Sequence, residues 1–549
     1  MAKIEWLKSG VALAALLSVP ALTASVVSVV PARAADTVIA AGETETDEIE
    51  LEDDDTLTVE DGGTLTVDDD GQAVKLKGKA TGVAIDNAGL IENTDKEERA
   101  IDTSGGSSNR QYSITNRAGG IIRSEGDAIR LDTDITEGGV ALDNAGLITS
   151  TKSGQALDFA SIESGDVTVT ITNQASGEIK AADADGIRPG ENATVTNFGL
   201  IEADSLGDGG NDGVDLREAS MSHVINKTGG AIRGAHQGVN GGEDGKGTVL
   251  VTNEEGASII GRNGSGVGSD NTGKVINYGT IQGNYDPTLG VNGDGDGVDI
   301  DFYAEIDNWG LIEGTGAGGV DSGGQPNNAE GVPIGGGVVN NYEGGRITGQ
   351  ARGMLVDDGS GGSAHYATQV TNFGQIDGQS GYGIKLVGEF DDTIVNGGLI
   401  SGANGQAVLM GDGDDRFVHL DGGSVEGYCS DCIPGKYADA STSACVDCQP
   451  GKFQPATAST ACIACETGKT SSSGSTSCKR PPIACCKALT ADCLACAAGL
   501  SPADFCRKEA KEATTNATTV GCKISYQCTT EDPVKFSPLK AAWCCKEQK

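Results

Sequence analysis

The phrase "IDNAGLIEN" (85–93) returns as "LDNAGLITS" (142–150), "VTNFGLIEA" (195–203), "VINYGTIQG" (275–283), "IDNWGLIEG" (306–314), "VTNFGQIDG" (370–378) and "IVNGGLISG" (394–402). A longer variant adds one or two residues before the last Ile, as in "ITNRAGGIIR" (114–123) and "VINKTGGAIR" (224–233). The shared Asn stands at 87, 116, 144, 173, 197, 226, 253, 277, 308, 341, 372 and 396. The mean step, about 28 residues, is the signature of a solenoid, in which each repeat buries its apolar side only by stacking on its neighbours.

Each period holds a second apolar stretch, such as "AIRL" at 128, "ALDF" at 156, "GVDL" at 213, "GVDI" at 297 and "GIKL" at 383. Two or three short strands per period, with turn residues between them, predict a parallel β-coil whose coils lie about 4.8 Å apart. Alternating apolar residues such as Val195 and Ile201, or Val298 and Ile300, then face a shared interior. No long apolar run marks a sheet buried on both faces, so the tube is thin and has a wet side. The Asn is expected to point inward at the turn and to bond both its own turn and the next coil. The Gly two positions on is expected to supply positive φ. On this reading the repeated Asn are structural and form no ligand site.

The net charge is −40, and residues 429–549 carry 14 Lys and Arg against 11 Asp and Glu, so the whole acidic excess precedes them. Such a field repels nucleic acid and anionic membranes, which excludes both as partners. The plain role of the charge is solvation, and cation binding is the other. The N-terminus has Lys3 and Lys8, an uncharged run from Val11 to Val30, and Ala32-Arg33-Ala34. That order predicts a signal peptide over 1–34, with an uncleaved anchor as the alternative. No later segment is apolar enough to span a bilayer, so a mature chain without a transmembrane segment is expected.

The repeat phrase, the acidic Gly-rich composition and the lack of cysteine make residues 36–428 resemble the passenger region of bacterial autotransporters. That resemblance implies a right-handed parallel β-helix over 35–428, displayed at the cell surface. Members of the family continue into a membrane β-barrel, whereas this chain runs into cysteines.

All 16 cysteines lie from residue 429 onward. Cys429/Cys432, Cys445/Cys448 and Cys462/Cys465 repeat C-x2-C every 16 or 17 residues, ending at Cys478. Each pair leads into a small turn, "PGKY", "PGKF" or "TGKT". Zinc is the alternative, but no metal-binding His is nearby and the segment has almost no apolar core, so disulfides are expected. The spacing resembles ephrin-receptor-like cysteine-rich repeats over 429–480, which implies a spacer or protein-interaction module. A further cysteine-rich module at 481–549 holds Cys485, Cys486, Cys493, Cys496, Cys506, Cys522, Cys528, Cys544 and Cys545. The whole is therefore expected to be all-β: a solenoid followed by small disulfide-rich modules.

Three patterns on the solenoid could carry chemistry. Asp294, Asp296, Asp299 and Asp301 alternate as in a calcium loop but lack the Glu that closes an EF-hand. Calcium is the one cofactor considered. Parallel β-helices also include polysaccharide lyases and glycosidases. The outward second-strand positions Arg130, Asp158, Arg188 and Asp215, with Asp299 and Asp321 later, alternate in sign at first. Such a column is expected to neutralise itself as a ladder. His223, His236, His365 and His419 are scattered. Tyr278, Trp309, Tyr342 and Phe373 follow the Asn in four consecutive coils. They are expected to form either an exposed stripe for a sugar or a partner surface, or a stack that stiffens the tube. The function expected is that of a secreted or cell-surface, non-catalytic adhesion protein whose partner is a cell-surface protein or glycan. A β-helical polysaccharide enzyme is the alternative.

Overall fold

The computed structural model describes residues 35–479, apart from the short segments 78–79, 104–107, 132–134, 206–209, 220, 243–247, 289–291, 321–323, 325, 358–363, 430–433, 440–443 and 457–460. The signal peptide, Asp321, Cys432 and the nine cysteines of 481–549 lie outside the described residues. So do the side chains of Cys429 and Cys445.

The chain is all-β, a parallel β-solenoid whose strands fall into a 15-stranded sheet (sheet 1) and a 28-stranded sheet (sheet 2). One coil shows the pattern: Thr168–Asn173 in sheet 1, then Glu178–Ala181 and Ile187–Arg188 in sheet 2. The sheet 1 strand alternates buried and part-exposed residues and ends on a buried Asn. Val169, Ile171, Ile179 and Ile187 point inward and are fully buried. Each strand pairs in register with its equivalent one coil on, Ile171 beside Val195 and Asn173 beside Asn197. At about 4.8 Å per strand, sheet 1 extends on the order of 65 Å. No helix of the described residues is long and apolar enough to cross a membrane.

The repeated Asn behaves as its spacing predicts. All twelve are fully buried. Each Nδ2 donates to the Oδ1 of the next, at 2.8 Å from Asn87 to Asn116 and 2.9 Å from Asn226 to Asn253. The same Nδ2 also bonds the carbonyl that opens a sheet 2 strand of the next coil, Ser258 O in the case of Asn226. The ladder ends where the amide ends. Val59 stands beside Asn87 at one end, and His419 beside Asn396 at the other.

The adjoining glycine has a different reason from the one expected. In the short phrase, Gly146, Gly199, Gly310 and Gly374 do not take positive φ. A Cβ on Gly310 would instead lie 2.1 Å from the carbonyl oxygen of Gly279 in the coil below. It is close approach that demands Gly there. Positive φ belongs to the longer variant, at Gly119, Gly229, Gly256 and Gly344, three residues after the Asn.

Buried carboxylates close the other corners. Asp127, Asp185, Asp212 and Asp296 sit just before the second strand, and each accepts the backbone N–H at the same position of the next coil. At the entry to sheet 1, Asp392 accepts from the Thr368 N–H at 2.7 Å. Burial pushes the Asp392 carboxyl up to about 6; the Thr368 N–H opposes the shift, and Asp415 and Asp391 add repulsion.

The tail is built separately from small antiparallel pairs, Lys436–Asp439 with Ala444–Asp447 and Lys452–Phe453 with Ile463–Ala464. Gly435, Gly451 and Gly468 take positive φ at the equivalent point of each turn. The Cys448 and Cys465 N–H groups bond the carbonyls of Gly435 and Gly451, each at 2.9 Å. Disulfides join Cys448 to Cys462 and Cys465 to Cys478. Each bond therefore links the second Cys of one C-x2-C to the first Cys of the next unit.

Two stability measurements test this architecture. Asn226→Ala removes one of the acceptors of the Asn197 Nδ2 and takes the ladder donor from the Asn253 Oδ1, and is expected to cost about 3 kcal/mol in urea unfolding. Asn87→Ala orphans only the downstream amide and should cost roughly half as much. Equal and negligible losses would show that the ladder is idle. The second measurement is of pH. An unfolded carboxyl titrates near ~3.9, so a folded Asp392 near 6 binds its proton more tightly than the unfolded chain does. Its contribution is complete below about pH 4 and is lost as the pH rises through about 6. Asp392→Asn keeps an acceptor for the Thr368 N–H, so it should raise Tm near neutral pH and flatten the fall in Tm between about pH 4 and 7.

Candidate functional site

Three of the four aromatic residues stack. Tyr278 and Trp309 have ring centroids 4.6 Å apart at 12°, and Trp309 and Tyr342 are 4.0 Å apart at 5°. In-register strands place their backbones one coil apart, so parallel rings follow directly from the fold. The Tyr342 hydroxyl donates to Asp307 Oδ1 at 3.1 Å. Phe373 does not join the column. The next coil has Gly397 at the matching position, and the Phe373 ring leans over it, 2.9 Å from where a Cβ would stand. Tyr278 and Phe373 are exposed, while Trp309 and Tyr342 are partly covered. Each stacked ring covers the face of its neighbour. The column thus offers a ridge of ring edges, with open faces only at its two ends.

The charged column on sheet 2 is longer than its sequence pattern suggested. Glu50, Lys75, Asp102, Arg130, Asp158 and Arg188 occupy one register position in successive coils. Asp215 follows, 3.4 Å from Arg188. Strict alternation of sign makes the face self-neutralising. It ends in a dense network. Arg188 pairs with Asp185 at 2.7 Å, Arg217 with Asp215 at 2.9 Å, and His236 Nδ1 lies 3.3 Å from Asp212. Asn240 Nδ2 donates to the second Asp212 oxygen at 2.7 Å. Burial pushes the Asp185 carboxyl up to about 6, with Asp215 adding repulsion and Arg188 opposing it. His236 is raised by its bond to Asp212, against the effect of burial. Beyond Asn240 the column runs through Gly268 to Asp299, and its alternation is gone.

The four aspartates of the calcium-like pattern are held for separate purposes. Asp294 lies in a two-stranded antiparallel pair opposite Ala317. Asp296 caps the Glu330 N–H at 2.6 Å. Asp299 sits on the second strand, and the Asp301 N–H bonds Ser269 O at 3.0 Å. Burial pushes Asp296 and Asp299 well above the usual carboxylate range, and their acidic neighbours push the same way. Glu330 is tied to Arg352. Among the described residues, no group of three or more His, Cys, Asp or Glu is placed to hold a metal ion.

The histidines serve four unrelated places. His223 contacts the Thr252 hydroxyl at 3.0 Å, His236 joins the carboxylate network, and His419 ends the Asn ladder. His365 stacks on Phe302 with centroids 4.4 Å apart. That last contact has no signal in the repeat phrase, because it joins residues two coils apart. The buried Asp caps did leave a signal, an Asp followed by Gly or Ala before the second strand at 127, 185, 212 and 296. No protein-family model matches the chain, and no curated protein matches it.

Proposed function

We propose that this chain is an exported, non-catalytic adhesion or interaction protein. Its rigid solenoid holds contact residues in fixed columns, and its disulfide-stapled tail serves as a spacer or second contact module. The observation that carries this reading is the Tyr278–Trp309–Tyr342 column, three large rings gathered on the outside of the tube where no core requires them. A ridge of aromatic edges with open terminal faces suits a glycan or a protein surface on another cell. The paired sheet 2 column supports the same reading, because its charges are spent on each other. Export is supported by the signal-peptide pattern and by the likeness of the two halves to autotransporter passengers and ephrin-receptor-like repeats.

One place favours the second reading, a β-helical polysaccharide lyase or glycosidase. Asp185, Arg188, Asp212, Asp215, Arg217 and His236 converge on one face, and the raised Asp185 resembles the acid that such chemistry needs. A glycan array and a polysaccharide-cleavage assay on the purified chain separate the two. Adhesion predicts binding that falls about tenfold in a Trp309→Ala, Tyr342→Ala double variant, with no product released. Product that disappears in Asp185→Asn would establish the enzyme instead. Binding that survives loss of both rings would make the column a stiffener.

A further inference from the structure

A second aromatic group lies at the opposite end of the sheet 1 strands, where each coil leaves sheet 2. Phe302 stacks on His365 at 4.4 Å, and Tyr303 meets Tyr366 edge to face at 5.5 Å and 89°. Two coils separate these pairs, a distance of about 9.6 Å along the tube. They meet because the coil between them turns on Gly335 and Gly336. A Cβ on Gly335 would strike Asp301 O at 2.0 Å, and one on Gly336 would strike Tyr366 O at 2.3 Å. The patch continues to Phe390, since Ala364 and Phe390 both flank Gly388, 3.2 and 3.7 Å from where its Cβ would stand. Phe302, Tyr366 and Phe390 remain 37%, 43% and 38% exposed.

The turns around this patch are acidic. Between Lys385 and Arg416 the chain has six Asp and Glu and no Lys, Arg or His. The 412–415 turn packs on the 388–392 turn, with the Asp412 N–H bonded to Gly388 O and the Asp414 N–H to Asp391 Oδ1. Glu389, Asp391, Asp412 and Asp414 are all exposed. Among the described residues none of the four makes an ion pair, in contrast to the paired column on sheet 2.

We propose that this corner is a docking site for a polypeptide segment carrying Lys or Arg. An edge-to-face ring pair leaves one ring's faces uncovered by its partner, and exposed π faces attract cations. Carboxylates that lack cations of their own complement the same charge. The ridge at Tyr278, Trp309 and Tyr342 differs on both counts, since only its two terminal ring faces are open and Lys274 stands in its first coil. The site is independent of whatever that ridge binds.

The test is fluorescence anisotropy with the full chain and a labelled peptide of alternating Lys and Gly. A Glu–Gly peptide and phosphatidylserine vesicles serve as comparison probes. The Lys peptide should bind, and its binding should weaken about fivefold or more in Tyr366→Ala, Phe390→Ala and, separately, in Asp391→Asn, Asp414→Asn. Both double variants should keep the parent's thermal unfolding, and Trp309→Ala should bind like the parent. High salt should weaken the remaining affinity. No binding, equal binding of the Glu peptide or the vesicles, or binding indifferent to both double variants would overturn the proposal. The last result would show that the peptide is held by the acidic surface at large.

Discussion

One hydrogen bond repeated along the axis sets the form of this protein: the side-chain amide of each ladder Asn donating to the amide of the next. A carboxamide carries a C=O acceptor and a two-hydrogen donor as separate groups on one short stem, so Asn can receive from the coil below, give to the coil above and still bond a backbone carbonyl. Asp would supply acceptors to acceptors, and Gln would reach too far for a turn this tight. The sequence steps between bonded amides run from 24 to 33 residues. The ladder tolerates that spread because extra residues leave through the turns before sheet 1 or, from Asn277 to Asn341, between the two strands of sheet 2, while Asn remains opposite Asn. Loop length is a weak entropic cost, whereas a buried amide without a partner is a strong one.

Once the coils are in register, every outward position becomes a column, and what a column holds decides what the surface does. In the first half of the tube the sheet 2 column alternates in sign from Glu50 to Asp215, so successive coils set opposite charges side by side. From Asn240 onward the same column passes to Gly268, Asp299 and then Pro333 and Leu355, and no ion-pair ladder forms. Both aromatic groups and the unpaired acidic turns lie in this second half. On the proposed reading, the contact chemistry falls on the C-terminal coils, where columns carry rings and unpaired carboxylates in place of alternating charges.

What the sequence made legible follows from what repeats. The Asn, the second strand and the alternating charges recur at a fixed offset, and register carries them unchanged into space. The glycine two residues after the Asn is legible as a requirement, but its reason is not. A single repeat read alone shows a turn, while the clash at Gly310 is with Gly279 in another coil. Phe373 leaves the column for a reason of the same kind, since its ring leans over Gly397, a residue of another coil that has no side chain. The Phe302–His365 contact depends on two glycines in a coil that contains neither ring. The disulfide partners were open because a C-x2-C spacing is compatible with bonds inside or between units.

The two halves solve one problem by different means. A coil of the solenoid cannot bury its apolar face alone, so it borrows the next coil through buried Val and Ile and a shared amide. A unit of the tail has too few apolar residues for that, and Cys448–Cys462 and Cys465–Cys478 tie each unit to the next by covalent bonds. In the solenoid the link between units is weak and cooperative, so a damaged coil is held in place by those on either side. In the tail the link is strong and local, and each described bond ties one unit to the next. Beyond the last sheet 2 strand, Ser424–Cys429, stability therefore passes from a column shared by all coils to covalent bonds between neighbouring units.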